Sequence, residues 1–546
     1  MALPERTGEP GLPCQLRPRR PPAAHGVAAR PARGDAGREM STDLPGTPMQ
    51  EFEIKYQVPP QRRAALETAL QQRATTQRIH LQAAYFDTPG RDLARAGMAL
   101  RLRKEGRRWV QTLKAGGADA LTRFEHNVAL GAGRPQVDPV RHAGTAPGDR
   151  LLALVQAGGG LVETYRTDVW RRLRRLRHRL GTVEMALDVG EILSGDRRLP
   201  VCEFEVELVE GQAQAVLAVA ERWMNRFGLW LDVRSKAERG DRLAQGVTSV
   251  PATRASAIEL PAGVGTGAAW RQVLAAAMAH LLPNVCELCE AGVQAPEADV
   301  HRVEQVHQAR VALRRLRTAL RFFRGWPGVP DATEAEVGIR EVFAHLGQAR
   351  DRDVVAALLD PVWQAHGLPP VAWKTGEGRD EVDPAAMLRG PVAQTLLLRL
   401  LRWQIEALEP GCQDPAFAAR ARKRIKAWHR AVARHAEDFL AMEDPQRHDL
   451  RKRIKRLRYA VDFAGGLFER RRVKAYLRAL AAAQERFGEF NDLAVAQALL
   501  QGYEGPSAWF AQGWLRGRRD MALPACQGAL QALAQAPRFW KKAGRA

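Results

Sequence analysis

Glu51, Glu53 and Lys55 stand at alternate positions of EFEIKYQV, with Phe52, Ile54 and Tyr56 between them. Neighbouring side chains of a strand point to opposite faces, so this spacing predicts one charged face and one apolar face. The same alternation returns at Arg101 and Arg103, at Arg123 and Glu125, at Glu184 and Asp188, and at Glu203, Glu205 and Glu207. One such strand is explained by an antiparallel sheet with a wet side. Five together point to a closed barrel with its apolar side packed outward on helices and its charges inside. Carboxylates such as Glu51, Glu53, Glu203, Glu205 and Glu207 are hard oxygen ligands for Mg²⁺ or Mn²⁺, and Arg101, Arg103, Lys114 and Arg123 suit phosphate oxygens. Together they carry the chemistry of metal-assisted phosphoanhydride hydrolysis.

A second constellation repeats. His307, Arg310, Arg314 and Arg317 in HQARVALRRLRTAL recur 141 residues later as His448, Arg451, Lys455 and Arg458 in HDLRKRIKRLRYAV. Gly347 and Asp351 meet Gly488 and Asp492 at the same offset, so two pseudo-symmetric helical bundles are expected. Steps of three and four put His307, Arg310, Arg314, Arg317 and Arg321 along one helical face. A charge run is usually a solvated face, but such faces normally interleave acids. Two facing cationic stripes would form a groove for a repeating phosphate chain, with Asp351 and Asp492 expected to orient the arginines rather than bind metal.

The elements that must position these residues divide the chain. Residues 1–48, rich in Pro, Gly, Ala and Arg, are expected to be disordered, with Met40 or Met49 the expected start. From 49 to 246 short strands alternate with helices near 60–73 and 211–227. A Pro-, Ala-, Thr- and Gly-containing linker follows at 247–265, and from 266 to 540 an Ala-, Leu- and Arg-rich sequence keeps helical periodicity. The expected class is therefore α+β: a closed antiparallel barrel with flanking helices, then an all-α domain.

Lys and Arg number 83 against 61 Asp and Glu, a formal charge of +22 that calls for a polyanionic partner. Zinc-finger and ribonucleoprotein motifs are missing and few aromatics flank the basic stripes, which argues against specific nucleic-acid binding. Cys14, Cys202, Cys286, Cys289, Cys412 and Cys526 form no disulfide framework and suit a reducing compartment. Cys286 and Cys289 have C-x-x-C spacing without a second ligand pair, so they are expected to be helix residues rather than zinc ligands. The sequence shows no run of about 18 apolar residues, so a soluble, cytoplasmic protein without a membrane partner is expected.

Residues 50–246 resemble the CYTH superfamily of triphosphate tunnel metalloenzymes, through E-x-E-x-K at Glu51, Glu53 and Lys55, YFDTP, LRLRK, QTLKAGG, RFEHNVAL, CEFEVELVEG and SKAERG in the family's order. Residues 266–540 resemble the CHAD domain, a histidine-rich helical module associated with polyphosphate. The resemblance implies a catalytic set of Lys55, Arg101, Arg103, Lys114, Arg123, Glu125 and Lys236. It implies metal ligands among Glu51, Glu53, Glu184, Asp188, Glu203, Glu205 and Glu207, holding Mg²⁺ or Mn²⁺. Polyphosphate is expected to meet His307, Arg310, Arg314, Arg317, Arg321, His448, Arg451, Lys455 and Arg458. The expected reaction is hydrolysis of inorganic triphosphate to diphosphate and phosphate. The alternatives are an organic triphosphate, for which Trp109, Trp170 and Trp230 are the candidate platforms, and a noncatalytic polyphosphate scaffold.

Overall fold

The computed structural model describes residues 49–71, 76–117, 122–131, 133, 135–294, 301–371, 383–405 and 417–540; the expectation of disorder over 1–48 lies outside them. The first domain contains strands β1 (Met49–Gln57), β2 (Gln77–Asp87), β3 (Met98–Glu105), β4 (Arg108–Gly116), β5 (Thr122–Leu130), β6 (Val162–His178), β7 (Gly181–Ser194), β8 (Arg197–Gly211) and β9 (Trp230–Leu231). Its helices are α1 (Arg63–Gln71), α2 (Asp92–Arg95), α3 (Ala146–Ala157), α4 (Ala213–Phe227) and α5 (Lys236–Gln245). The sheet runs β5-β4-β3-β2-β6-β7-β8-β1, and pairing of β5 with β1 closes it into an eight-stranded antiparallel barrel, with β9 added beside β1.

Register follows the alternation in the sequence. Glu53 faces Glu207, Lys55 faces Glu205 and Gln57 faces Glu203 across β1 and β8. A slip of one residue would turn this charged set outward, at the cost of exposing Phe52, Ile54 and Tyr56. Those three pack outside the barrel with Phe204, Val206, Trp223 and Phe227. Trp223 and Phe227 lie on α4, whose apolar residues recur at helical spacing and whose C-terminus ends on Gly228 at φ 63, a left-handed position that glycine adopts without strain. Ile54 is fully buried there, which stabilises the closed register by about 1.5–3 kcal/mol for such a side chain. Helix α5 closes one end of the barrel, with Gly240 so near Tyr165 that an added Cβ would lie 2.3 Å from its ring.

The second domain is helical throughout its described residues: α6 (Thr266–Gln294), α7 (Arg302–Phe323), α8 (Thr333–Ala365), α9 (Pro384–Arg389), α10 (Pro391–Ile405), α11 (Phe417–Ala433), α12 (Asp444–Ala464), α13 (Arg470–Leu500) and α14 (Pro506–Gln535). Helix α7 packs between α6 and α8, α12 packs between α11 and α13, and α7 meets α12. The repeat therefore becomes two helical bundles joined along their basic helices.

One expectation needs correction. Thr266–Glu290 of α6 has a mean hydropathy of 1.2 over 18 residues, long and apolar enough to cross a membrane by composition. Three charges, Arg271, Glu287 and Glu290, hide this from a search for an unbroken apolar run. The window is 67% buried inside the protein, in a core continuous with α4 and the barrel wall. Cys286 and Cys289 lie in that buried stretch, and burial pushes the Cys289 thiol up to about 12.

Candidate active site

The closed barrel gathers its charges into two groups. In the first, Lys114 on β4 pairs with Glu125 on β5 and reaches Glu51 Oε2 at 2.7 Å. Asn127 donates to Glu125 Oε1 at 2.7 Å, and Arg123 Nη1 stands 3.8 Å from Glu53 Oε1. Glu207, opposite Glu53, completes a set of four carboxylates. Burial, with Glu125 alongside and only Lys114 opposing, pushes the Glu51 carboxyl up to about 8. Burial, with Glu53 and Glu125 near and Lys114 opposing, pushes Glu207 up to about 7. Glu125 goes the other way: burial would raise it, but Lys114 and the hydrogen bond with Glu51 hold it well below the usual range.

The second group is neutral within itself. Lys236 Nζ reaches Asp188 and Glu203 at 2.7 Å and Glu205 at 2.8 Å. Arg171 makes a two-pronged contact with Asp188 at 2.6 and 2.7 Å and reaches Glu205 at 2.6 Å, while Arg239 pairs with Glu203. Although burial favours the neutral acid, Lys236, Lys55 and Arg239 bring Glu203 down to about 2. These carboxylates are satisfied by protein cations.

The structure thus divides the expected metal ligands. Glu51, Glu53 and Glu207 join Glu125, which was expected in the catalytic set. Asp188, Glu203 and Glu205 lie with Lys236 and Arg171, and Glu184 pairs with Arg175 at 3.1 Å. Arg171, Arg239, Gln57 and Asn127 were not read from the sequence; the arginine-rich alternation of β6 at Arg171 and Arg175 was the available signal for the first.

The cations that face the first group are held by burial and neighbours. Burial lowers the Arg101 guanidinium, but Tyr85 and Glu125 outweigh it and hold it above its ordinary value; Arg103 stays below, through burial and the adjacent Arg101. The Nε atoms of Arg101 and Arg103 are both buried with no hydrogen-bond partner. Leaving a buried donor unmet costs about 1–3 kcal/mol, so an anion entering here would relieve an existing penalty.

Among the described residues no three carboxylate, imidazole or thiol groups already converge as a closed metal shell. The donor set nevertheless suits a hard divalent cation: four oxygen-donor carboxylates, two of which burial raises toward neutral pH.

A stability prediction follows from the same two groups. Glu51 is raised from 4.5 to about 8 and Glu207 from 4.5 to about 7, so the folded protein binds more protons than the unfolded chain between these values. Stability contributed by these groups is present below 4.5 and is lost as pH rises toward 8. Glu51→Gln should therefore raise the Tm of chelator-treated protein at pH 8, by about 2–4 °C for each kcal/mol recovered, and by much less at pH 5. Thermal melts at both pH values check this; an equal or lower Tm at pH 8 would contradict the strained carboxylate.

In the helical domain, the stripes of α7 and α12 adjoin. Burial, then Arg314, lowers Arg451 against the pull of Asp492, and Arg456 is lowered by burial and by Arg321 and Arg317. Arg310 donates to Gly347 O at 3.3 Å and lies over the Phe343 ring at 4.8 Å, and His448 Nδ1 is 3.1 Å from Asn491 Oδ1. The copies differ at the position of Arg321, where the second has Asp462, paired with Arg458 at 3.2 Å. The side chain of Asp351 lies outside the described residues.

A CYTH domain model matches residues 49–240, and a CHAD domain model matches residues 269–501. Over 197 residues the chain is 27% identical to an inorganic triphosphatase of Haemophilus influenzae, covering 35% of this chain and 54% of that protein. The chain thus spans about half the length of that relative. An uncharacterized protein of Mycobacterium tuberculosis is 28% identical over 422 residues, covering 70% of this chain and 76% of its own length. The crystal structure of the CHAD domain from the plant Ricinus communis shares 29% identity, covers 53% of this chain and 98% of its own, and gives a TM-score of 0.42.

Proposed function

We propose that this protein, in which a CYTH domain is followed in tandem by a CHAD domain, hydrolyses inorganic triphosphate to diphosphate and phosphate with a divalent metal, and holds polyphosphate on its helical domain. The observation that carries the reading is the lumen: four carboxylates gathered at one end, two of them raised by burial, beside two arginines whose Nε donors are buried and unmet. The relative named inorganic triphosphatase supports it.

Glu51, Glu53, Glu125 and Glu207 would hold Mg²⁺ or Mn²⁺, which when bound supplies charge neutralisation on the phosphate oxygens and a more acidic water. Arg101 and Arg103 bind and orient the phosphate chain with planar donors matched to its oxygens. Lys114 and Arg123, now engaged with carboxylates, would offset the charge that develops on the leaving diphosphate. The barrel wall excludes bulk water, which strengthens each of these interactions.

The three tryptophans favour an inorganic substrate over an organic one. Trp170 lies on the outer wall, stacked on His80 at 4.4 Å with Arg78 over its ring at 3.9 Å. Trp230 lies under Arg389 of the helical domain. The alternation that points Lys114 and Thr112 into the barrel turns Trp109 outward. None of the three offers a nucleobase or thiazole a platform in the lumen.

Arg103→Ala should raise KM for triphosphate about tenfold or more, with a smaller change in kcat, since it removes a planar cation from the binding end. Steady-state phosphate release checks this; unchanged KM and kcat would remove Arg103 from the site.

A further inference from the structure

The six residues from Trp230 to Ser235 touch the lumen on one side and the helical domain on the other. On the lumen side, Asp232 N donates to Lys55 O at 3.0 Å, and the Lys55 ammonium donates to Arg234 O. Gln57 Nε2 donates to Asp232 Oδ2 at 2.9 Å, and Arg123 Nη2 donates to Val233 O at 2.9 Å. On the helical side, Leu231 N donates to Gln394 Oε1 of α10 at 2.7 Å and Val233 N to Cys286 Sγ of α6 at 3.5 Å. The Arg234 guanidinium, 4% exposed, holds Asp232 through two bonds of 2.9 Å, reaches Glu287 at 3.3 Å and pairs with Glu290, both on α6.

A buried interface needs no catalytic purpose, and an apolar contact would hold the two domains together at less desolvation cost than a buried ion network. Here the network ends on backbone carbonyls that fix lumen cations. Lys55 is 6% exposed and Arg123 shares the same strap, so a displacement of the strap would carry both with it.

We propose that the helical domain completes the triphosphatase site: Glu287 and Glu290, through Arg234 and the 230–235 strap, are positioning residues for Lys55 and Arg123. This rests on the triphosphatase reading above. A shift of about 1 Å in groups that orient a substrate can cost about a hundredfold in rate, so a network that sets such groups is read in kinetics before it is read in stability.

The experiment uses the full chain. Glu287→Gln with Glu290→Gln keeps size and polarity while removing the two α6 carboxylates that reach Arg234, which keeps Asp232, and it also frees Arg242 of α5 from Glu287. With the wild type active on triphosphate, kcat/KM of the double variant should fall about tenfold, mostly through KM, and Glu287→Asp with Glu290→Asp should recover part of the loss. In a Lys55→Met background, read at higher enzyme concentration, the same double change should cost clearly less than in the wild type, the remainder acting through Arg123, because interacting residues are non-additive. Gln394→Leu, which removes the strap's bond to α10, should shift KM in the same direction and serves if the acid variants do not fold. Kinetics within twofold of wild type, or an equal loss with and without Lys55, would overturn the inference. An inactive wild type would instead overturn the triphosphatase reading.

Discussion

Glu53→Gln should leave the barrel folded and lower metal-dependent release of phosphate from triphosphate at least about a hundredfold. The substitution keeps the length of the side chain and its place on β1 between Phe52 and Ile54, whose burial sets the register. It removes one charge from a set of four carboxylates, in which Glu207 lies directly across the sheet and only Arg123, at 3.8 Å, stands near Glu53 as a cation. Burial raises the Glu51 and Glu207 carboxyls at this end despite Lys114. The loss should therefore appear as a higher metal requirement and a lower kcat, with circular dichroism unchanged. Near-normal Mg²⁺-dependent turnover by a folded variant would remove Glu53 from the metal end.

Much of this site was legible in the sequence because strand periodicity is local. The alternation of Glu51, Glu53 and Lys55 with Phe52, Ile54 and Tyr56 specifies both faces of β1 without reference to any other strand. Which carboxylates would find cations was not legible, since Arg171 and Lys236 reach Asp188, Glu203 and Glu205 only through barrel closure. The strap from Leu231 to Arg234 was hidden for the same reason: its partners at Gln57, Glu287 and Gln394 are 53 to 175 residues away in the chain. In the helical domain the constant offset of 141 residues announced two copies, and local spacing gave each stripe. Their proximity, seen in the repulsion between Arg314 and Arg451, is a property of how α7 packs on α12.

That proximity supports a second large effect. Arg314→Glu with Lys455→Glu changes one position in each stripe and replaces two attractive charges by two repulsive ones. Long-chain polyphosphate should lose affinity by tenfold or more at physiological salt, about 1.4 kcal/mol or above. The salt dependence of binding should also become shallower, because fewer counterions are released. The barrel's turnover of triphosphate should stay within about twofold of wild type, since neither residue lies in the lumen. Titration of the full-length double variant at two salt concentrations measures both quantities. Unchanged affinity in a folded double variant would make the stripes solvated faces; a matching fall in triphosphate turnover would show that they serve the barrel instead.

The central claim is that the charged lumen cleaves a short inorganic phosphate chain with a metal held by Glu51, Glu53, Glu125 and Glu207. Phosphate release from inorganic triphosphate tests it most directly, measured with Mg²⁺, with Mn²⁺ and with excess chelator, beside ATP and thiamine triphosphate at equal concentration. Release of one phosphate per triphosphate, dependent on added metal and with kcat/KM at least about tenfold above either organic substrate, is the predicted result. No metal-dependent release from triphosphate, or faster cleavage of ATP or thiamine triphosphate, would contradict it.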